Sequence, residues 1–294
     1  MLEAENKKLV NDSKSKLTNE GEKKINRIKT IEKIRVKSNQ DNIKFLIKGL
    51  SDSNGLVRRR HAEELGIIGK DALPELINAL LHSKDVIQRR AAAKTLKLVK
   101  DPSALPHLIK ALTNDSDPVV QCSAAGAIAI FGESAVNDLI ILLENQKHTE
   151  MQHGLASWCL EFIGVNAPNA IKKAAESKNT KVKSAAISAL EDHIRLSQDQ
   201  EAIQLVKSAI NDKAEDVQIE AIKLVGKLYK IESLIPILIS KLKHKNPEIR
   251  KASAWSLMQL NVKEALKELK KLLEIEQDKN VTKIIELAIR KINE

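Results

Sequence analysis

Ten arginines stand against 39 lysines in this sequence, and five of the ten fall between positions 58 and 90: Arg58, Arg59, Arg60, Arg89 and Arg90. A guanidinium is a planar fork of donors that grips a carboxylate or phosphate through two parallel hydrogen bonds, whereas an ammonium acts as a point charge. The cluster therefore suits one of three things: a nucleic-acid footprint, a set of structural ion pairs, or a site for a particular anion. Other reactive side chains are few. Cys122, His148, His153 and Cys159 come close in sequence, but their spacing matches no zinc pattern, and no metal site is expected. There is no phosphate-binding glycine loop, no HExxH and no His-Glu pair of the kind that holds a di-iron centre.

The elements that must position these arginines are helical. The 294 residues are 43% hydrophobic but only 2% aromatic, and Leu, Ile, Ala and Lys dominate, as in helices rather than sheets. The net charge of +10 invites a nucleic acid or an acidic partner, yet the lysines are dispersed, as on a solvated surface. No apolar run approaches the roughly 20 residues of a membrane span, and MLEAENKKLVNDSKSK has no apolar signal core. With only two cysteines and no disulfide framework, a cytoplasmic location is expected.

An internal repeat organises the chain. An apolar anchor near the end of a short helix recurs at Leu65, Leu96, Ile128, Leu160, Leu190, Val225, Leu257 and Ile289, a mean period of 32 residues. Eleven positions before these anchors stand Asn54, Asp85, Asp117, Thr149, Asn179, Ala214, Asn246 and Asp278; seven of the eight are good N-cap residues. Pro74, Pro106 and Pro168 mark an upstream helix in their repeats. One helix pair cannot bury its apolar face, but a stack can. The expected fold is all-α: an α-solenoid of about eight helix pairs over 41–294. Residues 1–40 carry eleven Lys or Arg against six acids and read as a basic extension, mobile over 1–24 with a lead-in helix at 25–36.

Counting each anchor as position 8 of its inner helix, positions 0, 4, 8 and 11 face the core and positions 2, 6 and 10 face the groove. Arg59, Arg90, Cys122 and Gly154 occupy position 2; Glu63, Lys94, Gly126 and Trp158 occupy position 6. Position 10 is apolar in four successive repeats (Ile67, Leu98, Ile130, Phe162) and polar in the later ones (Asp192, Lys227, Gln259, Lys291). An apolar floor with a few fixed polar groups suits a small-molecule site, although neighbour packing accounts for position 10 equally well. Arg58 and Arg89, at position 1, are expected to pair along the stack with Asp85 and Asp117. Arg59 and Arg90 point into the groove. His61 is expected to be a packed histidine, and Cys159 an inert thiol at the edge of the core.

Two stretches, IQRRAAAKTLKLVKDPSALPHLIKAL (87–112) and GLASWCLEFIG (154–164), resemble the HEAT-like repeats of the E/F-type phycobilin lyases, the phycoerythrin-directed members most of all. The resemblance is good over 55–175 and generic beyond, and no catalytic motif transfers residue by residue. It implies an enzyme that binds a linear tetrapyrrole such as phycoerythrobilin as substrate, with no tightly bound cofactor. It would promote thioether attachment to a cysteine of a phycoerythrin subunit, and a second HEAT-like lyase subunit can be a partner. On that basis Arg59 and Arg90 would hold the propionates. Ile67, Leu98, Ile130, Trp158 and Phe162 would cover the rings, and Glu63 or Glu161 would meet the pyrrole nitrogens. Two alternatives stay open: a non-enzymatic HEAT-repeat chaperone or scaffold for phycobiliproteins, and a nucleic-acid-binding solenoid. The second is disfavoured because position 2 has arginine in the first two repeats only and the aromatics form no stacking track.

Overall fold

Start signals at fixed intervals, with apolar stripes between them, fix where the helices begin and which face they bury. The computed structural model describes residues 40–228 and 232–294; it is helical, with short 3-10 turns and no strand among the described residues. The lead-in helix expected at 25–36 lies outside the described residues. The chain divides into two compact units between Phe131 and Gly132. In the first, α1 (Gln40–Gly49) pairs with α2 (Gly55–Ile68), α3 (Leu73–His82) with α4 (Val86–Val99), and α5 (Leu105–Asn114) with α6 (Pro118–Ile128). In the second, α7 (Val136–Glu144) pairs with α8 (Glu150–Gly164), and α9 (Pro168–Ala175) with α10 (Thr180–Ala189). A short extra helix, α11 (Glu191–Ser197), follows. Then α12 (Gln200–Ala209) pairs with α13 (Glu215–Lys227), α14 (Ile235–Lys241) with α15 (Pro247–Gln259), and α16 (Leu266–Ile275) with α17 (Lys279–Asn293).

The stretch Pro118–Glu144 is long and apolar enough to cross a bilayer by length and composition. It is not one continuous helix: Gly132, at φ 59°, breaks the path between α6 and α7. A left-handed φ is open to glycine and costly for most other residues.

All seven expected N-caps form. The side chains of Asn54, Asp85, Asp117, Thr149, Asn179, Asn246 and Asp278 each accept from a first-turn backbone N–H, and Thr149 with Gln152 completes a capping box. Such caps are worth about 1 kcal/mol each. Ala214 begins α13 without a side-chain cap. Seven anchors, Leu65 to Leu257, are fully buried. Ile289 is half-buried on α17, whose main packing among the described residues is on α15 and α16. The long interval after Leu190 is filled by α11. Asp199 pins it, capping α12 through the N–H groups of Glu201 and Ala202 while accepting from His193 and Lys172. These partners hold its carboxyl far below the usual carboxylate range.

A second periodic feature lies in the loops. The residue two before most N-caps accepts from the cap's own N–H, as Asp52, Ser83, Asp115, Ser177, Asp212, His244 and Glu276 do. The position 1 side chain then reaches back to a loop carbonyl: Arg58 to Asp52, Arg89 to Ser83, Gln121 to Asp115, His153 to Asn145, Gln218 to Asp212 and Arg250 to His244. Some also bridge to the next repeat. Arg89 meets Asp115, Lys183 meets Asp212 and Arg250 meets Glu276. The expected ladder is thus corrected. Arg89 pairs two residues earlier than Asp117, with the carboxylate of Asp115 that braces that cap; Arg58, whose next cap turn is braced by the hydroxyl of Ser83, donates to its own loop carbonyls at Asp52 and Ser53 instead of pairing with Asp85.

Candidate ligand-binding groove

In the first unit, the faces of α2, α4 and α6 line an open groove of about 840 Å³. The structure brings Arg59, Glu63, Arg90 and Leu98 together on it, with Cys122, Ser123 and Gly126 of α6. Five basic residues (Arg58, Arg59, Arg90, Lys94, Lys97) line it against one carboxylate, Glu63, so it favours an anion. Arg59 is 77% exposed, and its Nε donates to Glu63 Oε1 at 2.8 Å. Arg60 Nη1 lies 3.6 Å from the other oxygen of Glu63, and Arg60 Nη2 lies 3.2 Å from Glu64. Glu63 therefore serves two guanidiniums. Arg90 is half-buried with no ion pair among the described residues, leaving its fork available. Lys94, expected in the groove at position 6, lines it, and Lys97, exposed on the same helix, adds a charge that the register left out.

The apolar positions divide. Leu98 lines the groove and is held close to α2, where a Cβ on Gly66 would stand 2.9 Å from the Leu98 Cβ. Ile67 is 76% exposed but lies off the groove lining. Ile130 is not on an inner-helix face: α6 stops at Ile128, and Ile130 sits half-buried in the 3-10 segment Ala129–Ala135. Asp192 likewise falls in α11, past the end of its inner helix. Ile87, exposed at the start of α4, joins the lining, and the anchor register gave no signal for it. His61 is buried, edge-on to Phe45 and against Gly49, as expected for a packed histidine.

The second unit has its own concavity, about 650 Å³, lined by residues of α8, α10 and α13 that include Glu150, Gly154, Glu161, Lys181 and Glu220. Lys181 Nζ lies 2.7 Å from Glu150 and 2.9 Å from Nδ1 of buried His153. An ammonium can only donate, so Nδ1 accepts and Nε2–H donates to the Asn145 carbonyl, an assignment made from the network. Glu161 is exposed at the rim of this concavity; partial desolvation by the surrounding protein, and then Glu191 and Glu220, raise its carboxyl, with Lys227 opposing. Trp158 and Phe162 are 46% and 56% exposed, their rings 6.0 Å apart and tilted by 32°. Cys159 is buried, and desolvation pushes its thiol up to about 12; Cys122 is exposed.

Paired helices at this period define a class of protein. The family model for HEAT repeats matches residues 73–158 and 205–290, and the chain is a HEAT-repeat protein. More particularly, it is 37% identical over 251 residues to the bilin biosynthesis protein MpeU of Synechococcus, covering 85% of this chain and 84% of that one, and it belongs to that protein's family. Among solved structures, a Kap121p mutant matches with a TM-score of 0.59 at 14% identity, covering 85% of this chain and 33% of that one. The complex of CpcE and CpcF of phycocyanin lyase from Nostoc also matches, with a TM-score of 0.32 at 18% identity, covering 63% and 99%. The identity to MpeU alone bears out the family resemblance carried by 87–112 and 154–164, as membership in a bilin biosynthesis family; the Kap121p match concerns the fold alone.

Proposed function

We propose that this protein is a phycobilin lyase. It binds a linear tetrapyrrole, phycoerythrobilin or a close relative, and promotes its thioether attachment to a phycoerythrin cysteine. The observation that carries the reading is the first unit's groove, where Arg59 and Arg90 stand beside Leu98 with a fivefold basic lining and one carboxylate. A bilin offers two propionates to the arginines and a flat apolar body to the floor. Membership in the family of a bilin biosynthesis protein supports this ligand class. In the reaction the partner's S–H adds across the bilin's exocyclic ethylidene. Sulfur bonds to the ethylidene carbon, the π pair moves to the adjacent ring carbon, and that carbon takes up the proton. No atom is lost and no oxidant is needed. The nucleophile comes from the acceptor subunit, so the protein's contribution is orientation and proton handling. Glu63, tied to Arg59, acts as a brace for that arginine and as a partner for pyrrole N–H groups. Glu161, whose carboxyl is raised, is the candidate proton carrier of the second unit. The same proposal gives Trp158 and Phe162 an aromatic face for a flat ring; quenching of Trp158 fluorescence by bilin is its own test.

The central test is titration of phycoerythrobilin with the wild type and the Arg59→Ala/Arg90→Ala variant. A red-shifted, sharpened absorbance is expected for the first, with affinity reduced about a hundredfold or more in the second, since each of the two charged hydrogen-bonded contacts is worth about 1.5–3 kcal/mol. Unchanged binding by the double variant would defeat the propionate assignment. Colour on a phycoerythrin subunit that survives denaturation separates a lyase from a chaperone.

A further inference from the structure

A glycine inside a helix costs about 1 kcal/mol relative to alanine, so each needs a reason. For three helical glycines the reason is close packing. A Cβ at Gly164 would stand 2.0 Å from the Ala189 carbonyl oxygen, one at Gly226 would stand 2.6 Å from Ser256 Oγ, and one at Gly66 would meet Leu98. Two helical glycines are different: Gly154 inside α8 and Gly126 inside α6 have no left-handed φ, and a Cβ at either would meet nothing within 4 Å. Neither the backbone nor the packing of the unliganded protein calls for glycine at these positions. Gly126 is the one on the first unit's basic groove, one turn after Cys122. At the repeat position where α2 presents Glu63 and α4 presents Lys94, α6 presents a hydrogen atom.

We infer that Gly126 sets the depth of the groove: the flat apolar body of a carboxylate-bearing ligand lies against the α6 backbone there while its carboxylates reach Arg59 and Arg90. This rests on the bilin reading above and adds a depth-setting, specificity-determining position to it. The side chains beside it on α6, Cys122 and Ser123, are small, so the ligand would also cover the exposed Cys122 thiol. A methyl group at 126 would meet nothing within 4 Å of the fold and would take up the ligand's space.

The test uses the full chain with Gly126→Ala and Gly126→Leu, three readouts and biliverdin as the probe. In thermal unfolding, Gly126→Ala is expected to raise Tm by about 2–4 °C, the size of a helix-propensity gain in a domain this large. In absorbance titration, Gly126→Leu is expected to weaken binding at least tenfold. In iodoacetamide labelling followed by peptide mass analysis, saturating biliverdin is expected to protect Cys122 in the wild type and not in Gly126→Leu. A fall in Tm for the alanine variant would make Gly126 a packing residue and overturn the inference, as would equal affinity of the leucine variant or unprotected Cys122 in saturated wild type. In each of those outcomes the wild type still binds, and the bilin reading stands. Failure of the wild type to bind is the distinct result that removes the reading, and the inference with it.

Discussion

Arg89 clasps Asp115 through two parallel hydrogen bonds, Nε to Oδ2 at 2.7 Å and Nη2 to Oδ1 at 3.0 Å, while Nη1 donates to the Ser83 carbonyl. The same carboxylate braces the Asp117 cap by accepting from its N–H. One side chain thus joins two consecutive repeats. Its neighbour Arg90 makes no such bond and faces the groove. Removing one partner of a largely buried ion pair strands the other, at a cost of about 3–5 kcal/mol. Arg89 and Asp115 are 12% and 8% exposed, so Arg89→Ala is expected to lower unfolding stability by about 3 kcal/mol. Arg90→Ala should change it by less than about 0.5 kcal/mol. Urea unfolding of the two variants checks this contrast.

The corresponding clasp in the second unit sets an acid limit. The Arg250 guanidinium holds the Glu276 carboxyl below its usual range, and Glu276 is only 2% exposed. A depressed folded pKa adds stability that is fully present above the unfolded carboxylate pKa, about 4.3. It is lost as pH falls through the lower folded value. Urea midpoints measured from pH 6 down to pH 3 should therefore decline. In Glu276→Gln the decline should be shallower, from a starting stability already lower at pH 6.

The two thiols should differ in reactivity. Iodoacetamide at pH 8 is expected to modify Cys122, which is exposed, and to spare Cys159, whose thiol is pushed up to about 12 by burial. Mass analysis of the two peptides, before and after denaturation, tests it; Cys159 should react only after denaturation.

Glu63 competes for Arg59 in the proposed groove. Losing the charged contact to the pyrrole N–H groups costs about 1.5–3 kcal/mol, against about 0.2–1 kcal/mol regained by freeing Arg59 from an exposed ion pair, so Glu63→Gln should weaken bilin binding about twofold or more; tighter binding would remove the pyrrole role. Absorbance titration distinguishes these two roles by the sign of the change.

Gly164 gives the packing counterpart of Gly126. Its close approach to the Ala189 carbonyl leaves no room for a methyl group, so Gly164→Ala is expected to lose about 1–3 kcal/mol by overpacking, read as a fall in Tm.

Much of this protein is dictated locally. Seven caps and seven fully buried anchors recur at one period because N–H groups at a helix start need an acceptor and an apolar stripe needs a neighbour, whatever lies farther away. The division of the arginines was legible for the same reason, since one residue of rotation separates Arg89 from Arg90. What the register could not supply was where each inner helix stops. Ile130 and Asp192 kept their repeat numbers but lost their faces, because α6 ends at Ile128 and α10 at Ala189. Nor could spacing name the partner of Arg89, which depends on where the loop of the next repeat arrives in space. The empty volume above Gly126 is likewise invisible in sequence, since a glycine that packs and a glycine that leaves room read alike. Sequence alone determined the helices, their period and their buried stripes, which follow from local hydrogen bonding and solvation. Tertiary structure decided which side chains meet across repeats and where a groove stays open, which depend on distances between residues far apart in the chain.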